Sequence, residues 1–187
     1  GYGWEVRIVD ENRNTITEGV GELAVKGPGV MKCYYKDVKA TEEVLDTEGW
    51  LYTGDMAEYD KDGFIYLVDR KKDVIISGGE NIYPVQIEDF LRANNAIKDV
   101  AVIGLPDQRL GEIATAVIEV KEDCALSEDE VKEFCMELPR YKRPRKIIFA
   151  DVPRNPTGKI EKPVLRKKYC GESVVAKQNE IDAKNLV

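Results

Sequence analysis

The side-chain pattern changes at Asp69, and that change restricts the chain to folds built from two unlike parts. Before it, apolar residues alternate with polar ones over residues 4–9 and again over 21–26, ahead of the breaker Gly27-Pro28-Gly29. That period belongs to strands with one face on a core. Asp60-Lys61-Asp62-Gly63, flanked by 56–59 and 64–68, predicts a hairpin. Residues 37–45, polar and rich in helix formers, predict a short helix.

After Asp69, strands and helices mix. Arg70 to Val74 carries three basic side chains and neither glycine nor proline, so it is not a loose linker. A short strand is predicted over 74–76, with Gly78-Gly79 as a loop. A helix is predicted from Pro84, a residue suited to the first helical position, with Ile87, Phe90 and Leu91 on its buried face. Residues 100–105 and 114–120 predict strands. Ser127 and Glu130 predict a capping box, opening a helix with Val131, Phe134, Cys135 and Leu138 as its buried stripe. A strand over 146–150 and a last short helix over 163–169 complete an α+β domain, with two helices packed on one small sheet. Residues 171–187 are polar and lack periodicity, so a loosely ordered tail is expected.

The 187 residues contain no histidine, which removes Ser-His-Asp and Cys-His nucleophile systems and mixed Cys/His zinc sites. The four cysteines form no CxxC pair, and no metal site is expected. Free thiols fit a reducing cytoplasm. No apolar run is long enough for a membrane span, and no signal peptide is visible. The first residue is Gly1 and a strand follows almost at once, so a piece of a longer protein is expected. A net charge of -7 argues against general nucleic-acid binding. Yet residues 138–168 hold eleven Lys or Arg against two acids, leaving 17 basic and 33 acidic residues elsewhere. A basic segment in an acidic protein serves a phosphorylated small ligand or is simply solvated.

Three stretches carry the chemistry. In Arg154-Asn-Pro-Thr-Gly-Lys159, turn residues present a lysine clear of any core. It is not a Walker loop, because Pro153 occupies the first glycine's place. In Tyr52-Thr-Gly-Asp55, the carboxylate of Asp55 could accept both hydroxyls of a ribose, or cap neighbouring amides as turn aspartates do. Asp69-Arg-Lys-Lys-Asp73 leads into Ser77-Gly-Gly-Glu-Asn-Ile-Tyr-Pro84. There Arg70 could bind the same sugar or a phosphate, or pair with Asp69 or Asp73. Gly78 and Gly79 would let backbone approach a ligand closely.

Taken in order, these stretches together with Gly21-Glu22-Leu23, Tyr34-Tyr35, Gly49-Trp50 and Ile87-Glu88 resemble the carboxyl-terminal third of the acyl-adenylate-forming enzymes. That superfamily includes acyl-CoA synthetases, luciferase and peptide-synthetase adenylation domains, and the resemblance covers residues 1–169. Gly78-Gly-Glu-Asn-Ile-Tyr-Pro84 looks most like the fatty-acid–CoA ligases.

The resemblance implies an α+β chain. Residues 1–68 would be a β-rich remnant of the large amino-terminal domain, 69–170 the small carboxyl-terminal domain, and 171–187 a tail. It implies Mg-ATP and CoA as reactants and a small carboxylic acid as substrate. Lys159 would reach the carboxylate and α-phosphate during adenylation, while Asp55 and Arg70 bind the nucleotide. Lys72 would stand at a hinge, and Gly78, Gly79 and Glu80 would line the channel for CoA. A carrier protein or another acceptor in place of CoA, and a non-catalytic nucleotide-binding or interaction module, are the alternatives. The family's phosphate loop, adenine pocket and acyl pocket precede these residues, so this chain alone is expected to be inactive. Strands parted from their sheet are expected to self-associate through residues 1–68.

Overall fold

The computed structural model describes residues 3–170, so the predicted tail over 171–187 lies outside the described residues. The chain divides into two compact units, with the division between Lys72 and Asp73. The composition changes four residues earlier, at Asp69, because the last strand of the first unit runs on through Arg70.

The first unit is an antiparallel sheet of five strands: β1 (Glu5–Val9), β2 (Thr15–Ile16), β3 (Gly21–Lys26), β4 (Leu51–Tyr59) and β5 (Ile65–Arg70), in the order β2-β1-β3-β4-β5. Each predicted alternation became a strand. The β4–β5 turn forms as its sequence predicts: the Asp60 carboxylate accepts from the amides of Asp62 and Phe64, and Gly63 takes a positive φ of 83°. Helix α1 (Val38–Val44) starts at Asp37, whose side chain accepts from the Ala40 amide. Val9, Ala24, Trp50 and Tyr52 form the buried cluster, over which Arg7 stacks on Trp50 at 4.0 Å and Arg13 on Tyr52 at 4.1 Å.

The second unit is built on β6 (Ile75–Ser77), β7 (Glu80–Ile82), β8 (Ile97–Asp107), β9 (Gly111–Val120) and β10 (Lys146–Phe149). β9 is central. It pairs antiparallel with β8 along one side, parallel with β10 on the other, and meets β6 at Gly111. Helices α2 (Pro84–Arg92) and α3 (Glu128–Phe134) place Ile87, Leu91 and Val131 against Val100, Val102, Ala116 and Ile118. The predicted capping box at Ser127 and Glu130 forms.

This unit departs from the sequence expectation in two ways. The predicted last helix forms as α4 over 162–170 and packs Leu165 and Tyr169 onto Ala101, Ile103 and Val117, so three helices rather than two pack on the sheet and both its faces are covered. The signal was the unbroken apolar run 100–105, which suits a strand buried on both sides. Residues 80–82, to which the sequence pattern assigns no element, pair with β6 as strand β7. Among the described residues no helix is long and apolar enough to cross a membrane. All four cysteines are free, and burial pushes the Cys135 thiol up to about 11, which makes it a packing group rather than a nucleophile.

Candidate functional site

In the first unit, Asp55 and Arg70 are cross-strand partners on β4 and β5, and the Arg70 guanidinium donates to Asp55 Oδ1 at 2.6 Å. The Asp69 carboxylate accepts from the Arg70 backbone amide, and Arg166 pairs with Asp73. Asp55 owes its place to a bulge. Thr53, Gly54 and Asp55 face the single residue Leu23, so β4 swells outward there. Side chains satisfy the backbone groups that the ladder loses. Thr53 Oγ1 donates to the Leu23 carbonyl at 2.8 Å and accepts from the Asp55 amide. Gly54, at φ 72°, donates its amide to Glu22 Oε1.

Glu22 carried no assigned role in the sequence beyond its place in Gly21-Glu22-Leu23. It is 8% exposed, and its second oxygen accepts from Lys71 Nζ at 2.8 Å, so one buried carboxylate holds both the bulge and the cation beside Arg70. The signal was a charged residue inside an otherwise apolar alternation. Tyr52 is similarly tied. Its hydroxyl donates to Asp46, and burial followed by that bond raises its pKa. A cleft of about 450 Å³ opens alongside, lined by Arg13, Tyr34, Thr53, Gly54, Arg70 and Lys71 among others. Asp55 lies outside that lining. The lining also includes the carboxylates of Asp10, Glu11, Glu22 and Glu43, so the cleft offers both cationic donors and anionic acceptors, a mixture suited to a ligand with hydroxyl groups as well as charge.

Lys72 is exposed and sits in a single 3-10 turn, Lys71–Asp73, at the division between the units.

In the second unit, Gly78 and Gly79 are the two-residue tip of the β6–β7 hairpin, between the paired residues Ser77 and Glu80. Both have positive φ, 61° and 87°, which a twisted two-residue turn requires and which glycine adopts without strain. The Gly78 amide donates to the Leu110 carbonyl, and a Cβ on Gly78 would come within 3.1 Å of Leu110. At Gly79 nothing lies within 4 Å of that position. Glu80 is exposed at the start of β7.

Lys159 is exposed on a turn between β10 and α4. Asn155 builds that turn. Its Oδ1 accepts from the Thr157 amide at 3.0 Å, the Thr157 hydroxyl at 2.7 Å and the Lys159 amide at 2.9 Å. Its backbone closes the ring through Gly158 N–H to Asn155 C=O and Asn155 N–H to Lys159 C=O. Beyond the turn, the buried Lys162 pairs with the buried Glu88 at 2.8 Å, and Glu88 also accepts the Val102 amide of β8. The ammonium of Lys159 is thus presented on backbone fixed at both ends. Asn155, Glu88 and Lys162 carried no assigned role in the sequence, although an Asn-Pro at a turn is a signal of side-chain capping.

Comparison with known proteins finds relatives of the chain in both sequence and fold. The profile of the AMP-binding enzyme C-terminal domain matches residues 86–159. A long-chain-fatty-acid–CoA ligase of Mycobacterium tuberculosis is 48% identical over 153 residues, which are 81% of this chain and 30% of that protein. The long-chain-fatty-acid–CoA ligase of Salmonella typhimurium is 41% identical over 171 residues, 90% of this chain and 30% of that one. The crystal structure of ATP-bound MatB from Rhodopseudomonas palustris superposes with a TM-score of 0.84 at 35% identity, covering 90% of this chain and 34% of the other. The chain thus spans about a third of the length of the relatives it matches.

Fold and sequence together define a part of an adenylate-forming ligase. The chain belongs to the AMP-binding, acyl-CoA ligase family, and it corresponds to the carboxyl-terminal part of such an enzyme.

Proposed function

We propose that this chain is the carboxyl-terminal part of a cytoplasmic, AMP-forming fatty-acid–CoA ligase. In the first half-reaction a carboxylate oxygen of the acid attacks the α-phosphorus of Mg-ATP, forming an acyl-adenylate and releasing pyrophosphate. In the second, the CoA sulfur attacks the acyl carbon, forming the thioester and releasing AMP. Lys159 stabilises the negative charge that gathers at the α-phosphate in the first transition state. Asp55, held by Arg70, takes the ribose hydroxyls, while Arg70 and Lys71 face the phosphates. Lys72 is the hinge about which the second unit turns between half-reactions, and Gly78, Gly79 and Glu80 line the path of CoA. Among the described residues no three Asp, Glu, Cys or His side chains gather as a metal site, and no residue of this chain is assigned to the magnesium.

The observation that carries the reading is the turn gripped by Asn155, which leaves Lys159 exposed on fixed backbone. A mobile chain end on a rigid base is what a point charge needs to meet a transferring phosphoryl group. The fatty-acid class rests on the identity with long-chain-fatty-acid–CoA ligases. Likeness to an amide bond synthetase of Marinactinospora thermotolerans, 32% identical with a TM-score of 0.81, supports a second reading in which another acceptor replaces CoA.

The test is ATP–pyrophosphate exchange by the complete ligase carrying this chain, with fatty, aryl and amino acids, in native and Lys159→Ala forms. Exchange is expected with fatty acids and should fall about a hundredfold or more in the variant. Exchange with no acid, or an unaffected variant, would overturn the reading. A product that forms without CoA would select the second acceptor. The chain by itself is expected to form no acyl-CoA.

A further inference from the structure

We propose that Asp99 and Arg154 form a clamp that positions Lys159 for adenylation, with Asn155 as its second jaw. Arg154 stands at the base of the turn, paired across it with Ile160. Its guanidinium works in two directions. Nε and Nη2 donate to the two carboxylate oxygens of Asp99 at 2.6 and 2.9 Å, while Nη1 donates to the Gly158 carbonyl. The Gly158 carbonyl belongs to the peptide group whose amide nitrogen is that of Lys159. The other end of that group, the Lys159 N–H, is held by Asn155 Oδ1 at 2.9 Å. Both polar atoms of the peptide leading into Lys159 are therefore fixed by side chains, and one of those side chains is anchored on β8.

The anchor is itself prepared. Between Ile97 and Asp99 strand β8 carries one residue more than β9, and such a bulge re-aims the side chains beside it. Asp99 Oδ1 also accepts the Val100 amide, so the carboxylate is oriented from its own strand before Arg154 reaches it. A planar guanidinium can span a carboxylate and a carbonyl together, and an ammonium cannot.

The arrangement serves placement more than stability. The Arg154 side chain is 42% exposed, and ion pairs so open to water add little to folding. Orientation of the Lys159 peptide, by contrast, sets where the ammonium can reach. Misplacement of a reacting group by about 1 Å costs up to roughly a hundredfold in rate. The inference rests on the reading of Lys159 as the adenylation lysine.

The experiment uses the complete ligase with Asp99→Asn, Arg154→Lys, Asn155→Leu and Asn155→Asp, beside Lys159→Ala. Two reactions are followed: ATP–pyrophosphate exchange, and thioester formation from chemically prepared acyl-adenylate plus CoA. Arg154→Lys, Asp99→Asn and Asn155→Leu are expected to lower the exchange kcat roughly tenfold to a hundredfold. Thioester formation should stay within about twofold, because the positioned group acts only in the first step. Asn155→Asp keeps the acceptor oxygen and should restore most of the loss seen in Asn155→Leu. Unchanged exchange in Arg154→Lys and Asp99→Asn, with Lys159→Ala still inactive, would overturn the clamp alone. Equal losses in both reactions would also overturn it, since they mark a general folding defect. Exchange that survives Lys159→Ala would overturn the adenylation reading and the clamp with it.

Discussion

The two units solve the problem of stability in different ways. The second buries apolar residues on both faces of its sheet, twelve in one cluster and seven in the other. Among the described residues the first gathers four in its cluster, with Ile8, Ala57 and Val68 buried besides. Where the second exposes Ile76, Met136, Tyr141, Phe149 and Val164, the first leaves more large apolar side chains exposed, Val6, Val38, Phe64, Tyr66 and Leu67 among them. It compensates with polar and aromatic ties: Arg7 on Trp50, Tyr52 to Asp46, Lys71 to Glu22. A sheet covered on both faces can stand alone, whereas one with a thin core and uncovered apolar side chains is shaped to sit against more protein. The candidate groups follow the same division. Asp55 rises from a bulge held by side chains, with Arg70 opposite it on β5, while Lys159 stands on a turn anchored to a packed β-layer.

Substitutions can break this comparison. The largest effect is expected from Glu88→Ala, which strands the buried Lys162 and removes the acceptor of the Val102 amide. A loss of about 3–5 kcal/mol is expected in urea unfolding, since an unpaired buried charge is left behind. A loss under about 1 kcal/mol would mean that the packed layers, not the ion pair, hold α4 in place.

Acid should act next. Burial alone would raise the Asp99 carboxyl, but the Arg154 guanidinium and the Val100 amide outweigh it and hold the group below its ordinary value near 3.8. The unfolded chain therefore binds this proton more readily than the folded one. The stabilisation is complete above pH 3.8 and is lost as pH falls through the lower folded value. Unfolding midpoints measured from pH 6 to about 2 should converge for native protein and Asp99→Asn at the acid end. A constant difference across the range would contradict this assignment.

The smallest effect on stability belongs to the first unit. Leu67→Ser on β5, 65% exposed, should change folding by no more than about 0.5 kcal/mol. The same change should weaken self-association, which we expect of this chain through its open sheet edge and uncovered side chains. Light scattering of native protein and variant across concentration checks both halves. A native chain that stays monomeric at high concentration would remove the expectation.

Much of this was legible from residue order. Alternation placed β1, β3 and the β4–β5 hairpin, and Ser127 with Glu130 placed the start of α3. Lys159, Asp55 and the glycine pair stood out because turn residues surround them. Less legible were the groups that hold them. Glu22 meets Gly54 across 32 residues and Arg154 meets Asp99 across 55, and no local pattern encodes such meetings. Strand β7 was hidden because three polar or mixed residues after a glycine pair look like loop until β6 supplies the partner. The helix on the second face was visible as a short segment, but its side of the sheet depended on how β8 was covered.

The turn that carries Lys159 also has a bearing on how the molecule ages. An asparagine side chain is lost chemically when the nitrogen of the following peptide attacks its amide carbon and closes a five-membered imide. Asn155 is followed by Pro156, whose nitrogen bears no hydrogen and is already enclosed in a ring. That cyclisation is blocked at the one asparagine whose oxygen receives three hydrogen bonds in the turn. The proline that shapes the loop thereby also protects its keystone from slow rearrangement to isoaspartate, which would insert an extra backbone carbon into the turn.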